Sequence, residues 1–256
     1  MIHRFIINCA HLVANPSAKP GRPAKTWGPV ATLGLGAIAT LASQVPPLIV
    51  FFYWRGASVG RWREIATDGP AVVLFVCLST PVQVALLAYF ARKVGSTAVS
   101  YLALTVPSRR TIPLLAITAL ALLAASDGLS LAVGGHVVSS FQTDIYRSAA
   151  KAGVLFWLWL TVIAVAPIGE ETLFRGFLFR GWQRTRHEAA IAISSTALLW
   201  AALHVQYSSI EMSEVFVVGL VLGGTRFISG STVSSMVLHG VLNTAGMIET
   251  YITSRA

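Results

Sequence analysis

The sequence predicts an all-α protein, a polytopic transmembrane helical bundle of about seven spans. Three observations carry that expectation. Only 11% of the 256 residues are charged, against about a quarter in an average soluble domain, too few to cover the surface of a water-soluble monomer. Hydrophobic residues make up 55% of the chain, and the mean hydropathy is +0.69. The apolar residues fall in long blocks near the ~20 residues a helix needs to cross the hydrocarbon, not in short alternating runs. A cytosolic enzyme and a nucleic-acid-binding module are both disfavoured.

Residues 1–27 read as a cytoplasmic N-terminal tail. Arg4, Lys19, Arg22 and Lys25 accompany Pro16, Pro20 and Pro23, and the apolar stretch from Phe5 to Ala14 is broken by Asn8 and His11, a poor signal-peptide core. Spans are expected at 28–54, 70–91, 111–133, 152–168, 189–207, 214–228 and 231–248, with a short tail over 249–256. The first three, within 28–151, carry no motif; the polar residues of interest lie in 152–248. Pro46-Pro47 and Pro81 read as kinks within spans. Gly219-x-x-x-Gly223, followed by Gly224, reads as a small-residue face that lets the sixth span approach a neighbour closely. Cys9 in the tail and Cys77 in an apolar block occupy different environments, so no disulfide is expected.

The balance of 19 Lys and Arg against 10 Asp and Glu gives a net charge of +9. With the positive residues sitting between apolar blocks, they read as topology signals and contacts to the lipid bilayer. Alternate connections hold 13 basic residues on the side of the N-terminus and 6 on the other. Positive loops stay inside, which places the N-terminus in the cytoplasm.

A charge within the bilayer is costly and faces a partner or a wet cavity. Asp127-Gly128, late in the third span, reads as an interfacial or helix-breaking pair. Glu170 and Glu171 follow a stretch without charge from Ala152 to Gly169. Adjacent carboxylates point about 100° apart on a helix, so they cannot share one job. Glu171 and Arg175 are four apart on one face, where they can pair, which leaves Glu170 free to meet another helix. The plainer alternative, two interfacial acids capping a span, is also open at this point. Arg180, Arg184, Arg186 and His187 form a water-facing turn. Glu170 lies as far before His187 as His204 lies after it, so in an antiparallel hairpin both sit ~25 Å from the turn and can meet. His239 and Asn243, four apart in the last span, share a face and want a common partner. Glu170, His204, His239 and Asn243 then converge on a polar pocket between helices.

A carboxylate and an imidazole can hold and deprotonate a water, while a second imidazole and a carboxamide stabilise the oxyanion formed on a carbonyl. The same Glu170, His204 and His239 can instead bind a divalent metal such as zinc, with Asn243 or Glu171 behind them. Both versions are open. His187-Glu188-Ala189-Ala190-Ile191 begins like a zinc-protease helix but has Ile191 where the second histidine belongs, and no Gly-x-Ser-x-Gly elbow or phosphate-binding glycine loop is present.

The pattern resembles the CPBP group of intramembrane proteases, which includes the type II CAAX prenyl endopeptidases and the Abi, bacteriocin-immunity-like proteins. Glu170, Glu171 and Arg175 match that family's Glu-Glu-x-x-x-Arg. Trp200 to His204 is similar to its aromatic-x-x-x-His, with tryptophan where phenylalanine is usual. His239 and Asn243 match its His-x-x-x-Asn. The resemblance spans about 152–248 and implies an intramembrane endopeptidase, of metalloprotease or glutamate type, acting on a membrane-associated protein or peptide. It implies Glu170 as general base or metal ligand and His204 as its partner or a ligand. It further implies His239 with Asn243 at the oxyanion, Glu171 assisting and Arg175 bracing. Trp200 bears on pocket size and so on substrate. The rival readings are a catalytically silent immunity or scaffold protein of this fold, which the intact residue set disfavours, and, last, a small-solute transporter.

Overall fold

In the computed structural model, residues 26–55, 65–132, 137–183, 185 and 187–254 are described. The tail expected over 1–27, including Cys9, lies outside them apart from residues 26 and 27, as do Arg184, Arg186 and the last two residues. The described residues are mostly helical, without a strand. The helices are α1 (Pro29–Ser43), α2 (Val45–Arg55), α3 (Gly69–Lys93), α4 (Ala98–Tyr101), α5 (Thr111–Ala132), α6 (Ser140–Lys151), α7 (Leu155–Trp182), α8 (Ala189–Ala202), α9 (Ser209–Ser229) and α10 (Thr232–Thr253).

Among the described residues, five stretches are long and apolar enough to cross a membrane: Pro29–Trp54 (α1 with α2), α3, α5, α7 and α9. The protein is an integral membrane protein. The expected seven is met only roughly, for two physical reasons. At 14 residues, α8 rises ~21 Å, short of a ~30 Å hydrocarbon core. At 22 residues, α10 is long enough but carries Ser234, Ser235, His239, Asn243 and Glu249 along an otherwise apolar helix, several of them turned inward.

The boundaries also differ from the sequence reading where polar groups find partners. The fourth span, expected to stop at residue 168, runs on to Trp182 because Glu171 and Arg175 neutralise each other inside the bundle. The fifth, expected to reach residue 207, ends at Ala202. There the Nδ1 of His204 lies 2.8 Å from the Trp200 carbonyl, capping one of the carbonyls that a helix end leaves open. The sixth begins five residues earlier than expected, at a Ser208/Glu211 capping box. The Pro46-Pro47 kink shows as the break between α1 and α2 at Gln44, whereas Pro81 is accommodated within α3.

Two turns of α7, Thr161–Val165 and Thr172–Leu178, are wound as π-helix. Pro167 follows the first; lacking an N–H, it cannot bond back into the preceding turn, which loosens it. Loosened turns release carbonyls, and two are collected by side chains from other helices: Val162 O accepts from Asn243 Nδ2 at 2.7 Å and Arg175 O from Arg226 Nε at 3.1 Å. α10 reaches the first π turn because Gly240 has no side chain; a Cβ there would stand 2.8 Å from Ile163 O. The expected small-residue face of α9 packs on α8, where a Cβ on Gly219 would meet that of Ala197 at 2.9 Å. Arg175 and Arg226, both counted as loop charges in the topology reading, are buried.

Candidate active site

The expected residues come together, though not in the expected pairs. One cavity of about 410 Å³ is lined by Glu170, Trp200, His204, His239 and Asn243. Glu171 and Arg175 stand behind it, fully buried.

Glu171 and Arg175 pair at 3.0 Å, as their spacing requires. Two charges at 0% exposure are costly unless held on several sides. Arg175 Nη2 also donates to Gly219 O at 3.0 Å, and its guanidinium lies 4.8 Å from the Trp200 ring centroid, a cation–π contact. The same Glu171 oxygen meets His239 Nδ1 at 3.0 Å. His239 and Asn243 therefore share no common partner: one is held by Glu171, the other by the carbonyl freed in the first π turn.

Glu170 points away from this ion pair, as adjacent helical positions dictate, and meets α8. Its direct partner is Trp200, whose indole Nε1 donates to Oε2 at 2.6 Å. The hairpin depth reading thus brings Glu170 to α8, but four residues short of the histidine it was expected to reach. His204 approaches through Trp200, with ring centroids 4.9 Å apart and nearly perpendicular; His239 flanks the same indole at 5.3 Å. The residue read from sequence as a pocket-size determinant is the hub that joins Glu170, Arg175 and both histidines. With a carbonyl as acceptor, His204 Nδ1 carries a proton, which leaves Nε2 as the acceptor of the neutral ring.

Past α8 the chain runs without regular structure through His204–Ser208, non-helical backbone that borders the cavity. Tyr207 stacks on His204 at 5.8 Å and 12° and meets Phe141 of α6 edge-on. Burial, with Glu211 and Glu170 nearby, pushes the Tyr207 phenol up to about 12, so it stays a donor.

Sequence reasoning missed the rest of the cavity wall: Asp127, Glu211, Glu214, Glu249, Gln142 and Tyr207. Asp127 carried a signal, a carboxylate inside a span, but was read as interfacial; α5 passes through it unbroken. Among the described residues, no three His, Cys, Asp or Glu side chains come together to hold a metal ion. Glu170 turns Oε2 to Trp200, His239 turns Nδ1 to Glu171 and His204 turns Nδ1 to backbone, so each of the three is oriented through one of its two polar atoms.

An apolar bundle thus gathers a carboxylate, two imidazoles and a carboxamide around one cavity. Residues 152–245, from α7 into α10, match the family described as Type II CAAX prenyl endopeptidase Rce1-like, a match that supports a CPBP assignment for this segment. The chain is also similar to an uncharacterized 24.3 kDa protein of Escherichia coli, 32% identical over 111 residues, which are 42% of this chain and 50% of that protein. The chain thus spans about half the length of the curated relative it matches. No solved structure matches.

Proposed function

We propose that the protein is an intramembrane endopeptidase that hydrolyses a peptide bond of a membrane-associated substrate with a water activated by Glu170 and His204. The observation that carries the reading is the single cavity onto which α7, the end of α8 and α10 bring Glu170, His204, His239 and Asn243. Glu170, with one oxygen on Trp200, keeps its other for the water; His204 Nε2 is the second acceptor. As water oxygen bonds to the carbonyl carbon, its proton passes to Glu170 or His204, and the carbonyl electron pair moves onto oxygen. His239 and Asn243 meet that oxyanion, each already oriented by a bond on its far side, to Glu171 and to Val162 O. Collapse of the intermediate breaks the C–N bond, and the proton is returned to the departing amine.

The family's printed name points to prenylated CAAX substrates; for this chain, a lipidated or other membrane-anchored protein is the proposed class. The N-terminus is proposed to lie in the cytoplasm. The bonds to Trp200, to backbone and to Glu171 each leave one donor atom of Glu170, His204 and His239 open, so stringent chelation divides the two versions: an unchanged rate supports the metal-free water, and loss restored by added zinc makes the site a metal centre. The deciding experiment compares protein termini in membranes carrying wild type or Glu170→Gln at equal abundance. New ends found only with wild type support the reading; their absence under several growth conditions overturns it.

A further inference from the structure

The cavity has a second half that the hydrolysis above does not use. From Glu170, His204, His239 and Asn243 it extends to the end of the bundle where α5 and α10 finish and α6 and α9 begin, reaching Val137 and Gln206, both exposed. This outer half is walled by Asp127 of α5, Glu211 and Glu214 of α9, and Glu249 of α10. With Glu170, half of the chain's 10 acidic residues line one cavity, and among the described residues no Lys or Arg does. In a protein of net charge +9 that is a local inversion of sign.

Part of this acidity has structural duties. Glu211 caps α9, and Glu214 accepts from Ser126 at 3.0 Å and Ser130 at 3.1 Å. Those hydroxyls tie α5 to α9 without neutralising the charge. The Asp127 and Glu249 carboxylates have no hydrogen bond or ion pair among the described residues, and both residues line this one cavity. Like charges left facing one space repel each other, and a cation placed between them relieves the repulsion. The catalytic end independently turns a polar group toward the same space. His239 is 5% exposed, uses Nδ1 on Glu171, and has no hydrogen bond on its other ring nitrogen among the described residues.

We infer that the substrate segment occupying this outer half carries a Lys or Arg side chain close to the bond that is cut. The inference rests on the protease reading above and adds the chemical class of the substrate. Asn243 and Glu249 lie on one helix, six positions and so about 9 Å apart along its axis. An extended peptide advances ~3.3 Å per residue, which sets the basic side chain two or three residues from the scissile bond. Asp127 and Glu249 receive its charge, with Glu214 beside them.

The test uses the full chain in lipid nanodiscs and one apolar, fluorescently labelled peptide made with Lys, Gln or Glu at those positions. Binding is measured on Glu170→Gln, which holds peptide uncut, and cleavage in parallel on wild type. The Lys peptide is expected to bind about tenfold tighter than its Glu counterpart, with the preference shrinking as salt rises and lost when Asp127→Asn and Glu249→Gln are added. Equal binding of the Lys and Glu peptides overturns the inference without calling on any wall variant, so misfolding of a variant cannot mask failure. A preference that survives both wall substitutions also overturns it. Cleavage of all three peptides at one rate by wild type leaves the protease reading standing and removes the basic side chain from it. Selective binding of the Lys peptide with no cleavage supports the acidic wall and counts against proteolysis.

Discussion

The two halves of this molecule are built from the same apolar helices and handle their polar residues in opposite ways. In α1 to α5 the helices are continuous apart from the break at Gln44, and much of their large apolar surface is exposed, Val30, Leu41, Leu114 and Leu120 among it. One polar contact inside this half joins two side chains on regular helix, where Gln83 Nε2 donates to Thr40 Oγ1 at 3.0 Å. In α7 to α10 the helices are irregular: two π turns, a helix ended early by its own histidine, glycines at the crossings. The two π turns and the early end of α8 each leave a backbone carbonyl that a side chain takes up, and these bonds hold Asn243, Arg226 and His204 in place.

If that is right, substitutions in the second half should fall on chemistry, with the sharpest at Glu170. Glu170→Gln keeps the shape and an acceptor for Trp200 but removes the base; cleavage should fall about a thousandfold, with unchanged thermal unfolding in detergent. A residual rate near wild type would take Glu170 out of the mechanism. Asn243→Ala removes both the proposed oxyanion donor and the bond to Val162 O. A loss of about a hundredfold in kcat with little change in KM is expected; a rise in KM alone would make Asn243 a binding residue.

Trp200→Phe comes next in size and bears on the hub. It keeps a ring against Arg175 and the histidines but deletes the N–H held by Glu170 Oε2. A hydrogen bond to a charged group contributes about 1.5–3 kcal/mol, so kcat should drop about tenfold or more through a wandering carboxylate. An unchanged rate would mean that Glu170 is held by something other than the indole.

The contrast between halves also decides what was legible in the sequence. Glu170-Glu171-x-x-x-Arg175, Trp200 to His204 and His239 to Asn243 are local strings with helical spacing, so their faces could be read without a structure. The all-α membrane class followed from the few charges. The π turns could not be read, since the sequence argument assumed regular helix, and with them went the partner of Asn243. Nor could the acidic wall: Asp127, Glu214 and Glu249 are lone residues on three helices whose rotation only packing fixes. The pairing of Glu170 with Trp200 instead of His204 turns on where α8 stops, a boundary set by a capping bond and not by composition.

The smallest effect separates the halves by sign. Gly34 in α1 and Gly219 in α9 are both helical glycines, and replacing glycine by alanine within a helix is worth about 0.5–1 kcal/mol in backbone entropy. Around Gly34 a Cβ meets nothing within 4 Å, so Gly34→Ala should be mildly stabilising. At Gly219 the new methyl would stand 2.9 Å from the Cβ of Ala197 and 3.2 Å from the Trp200 ring. Overpacking of that kind costs about 1–3 kcal/mol, so Gly219→Ala should unfold more easily. By pushing α9 from α8 it should also weaken the bond from Arg175 to Gly219 O, on which the buried ion pair behind the site depends. Unfolding of the two variants in graded denaturing detergent checks the signs. If both move the same way, the close α8–α9 contact is not what distinguishes the second half.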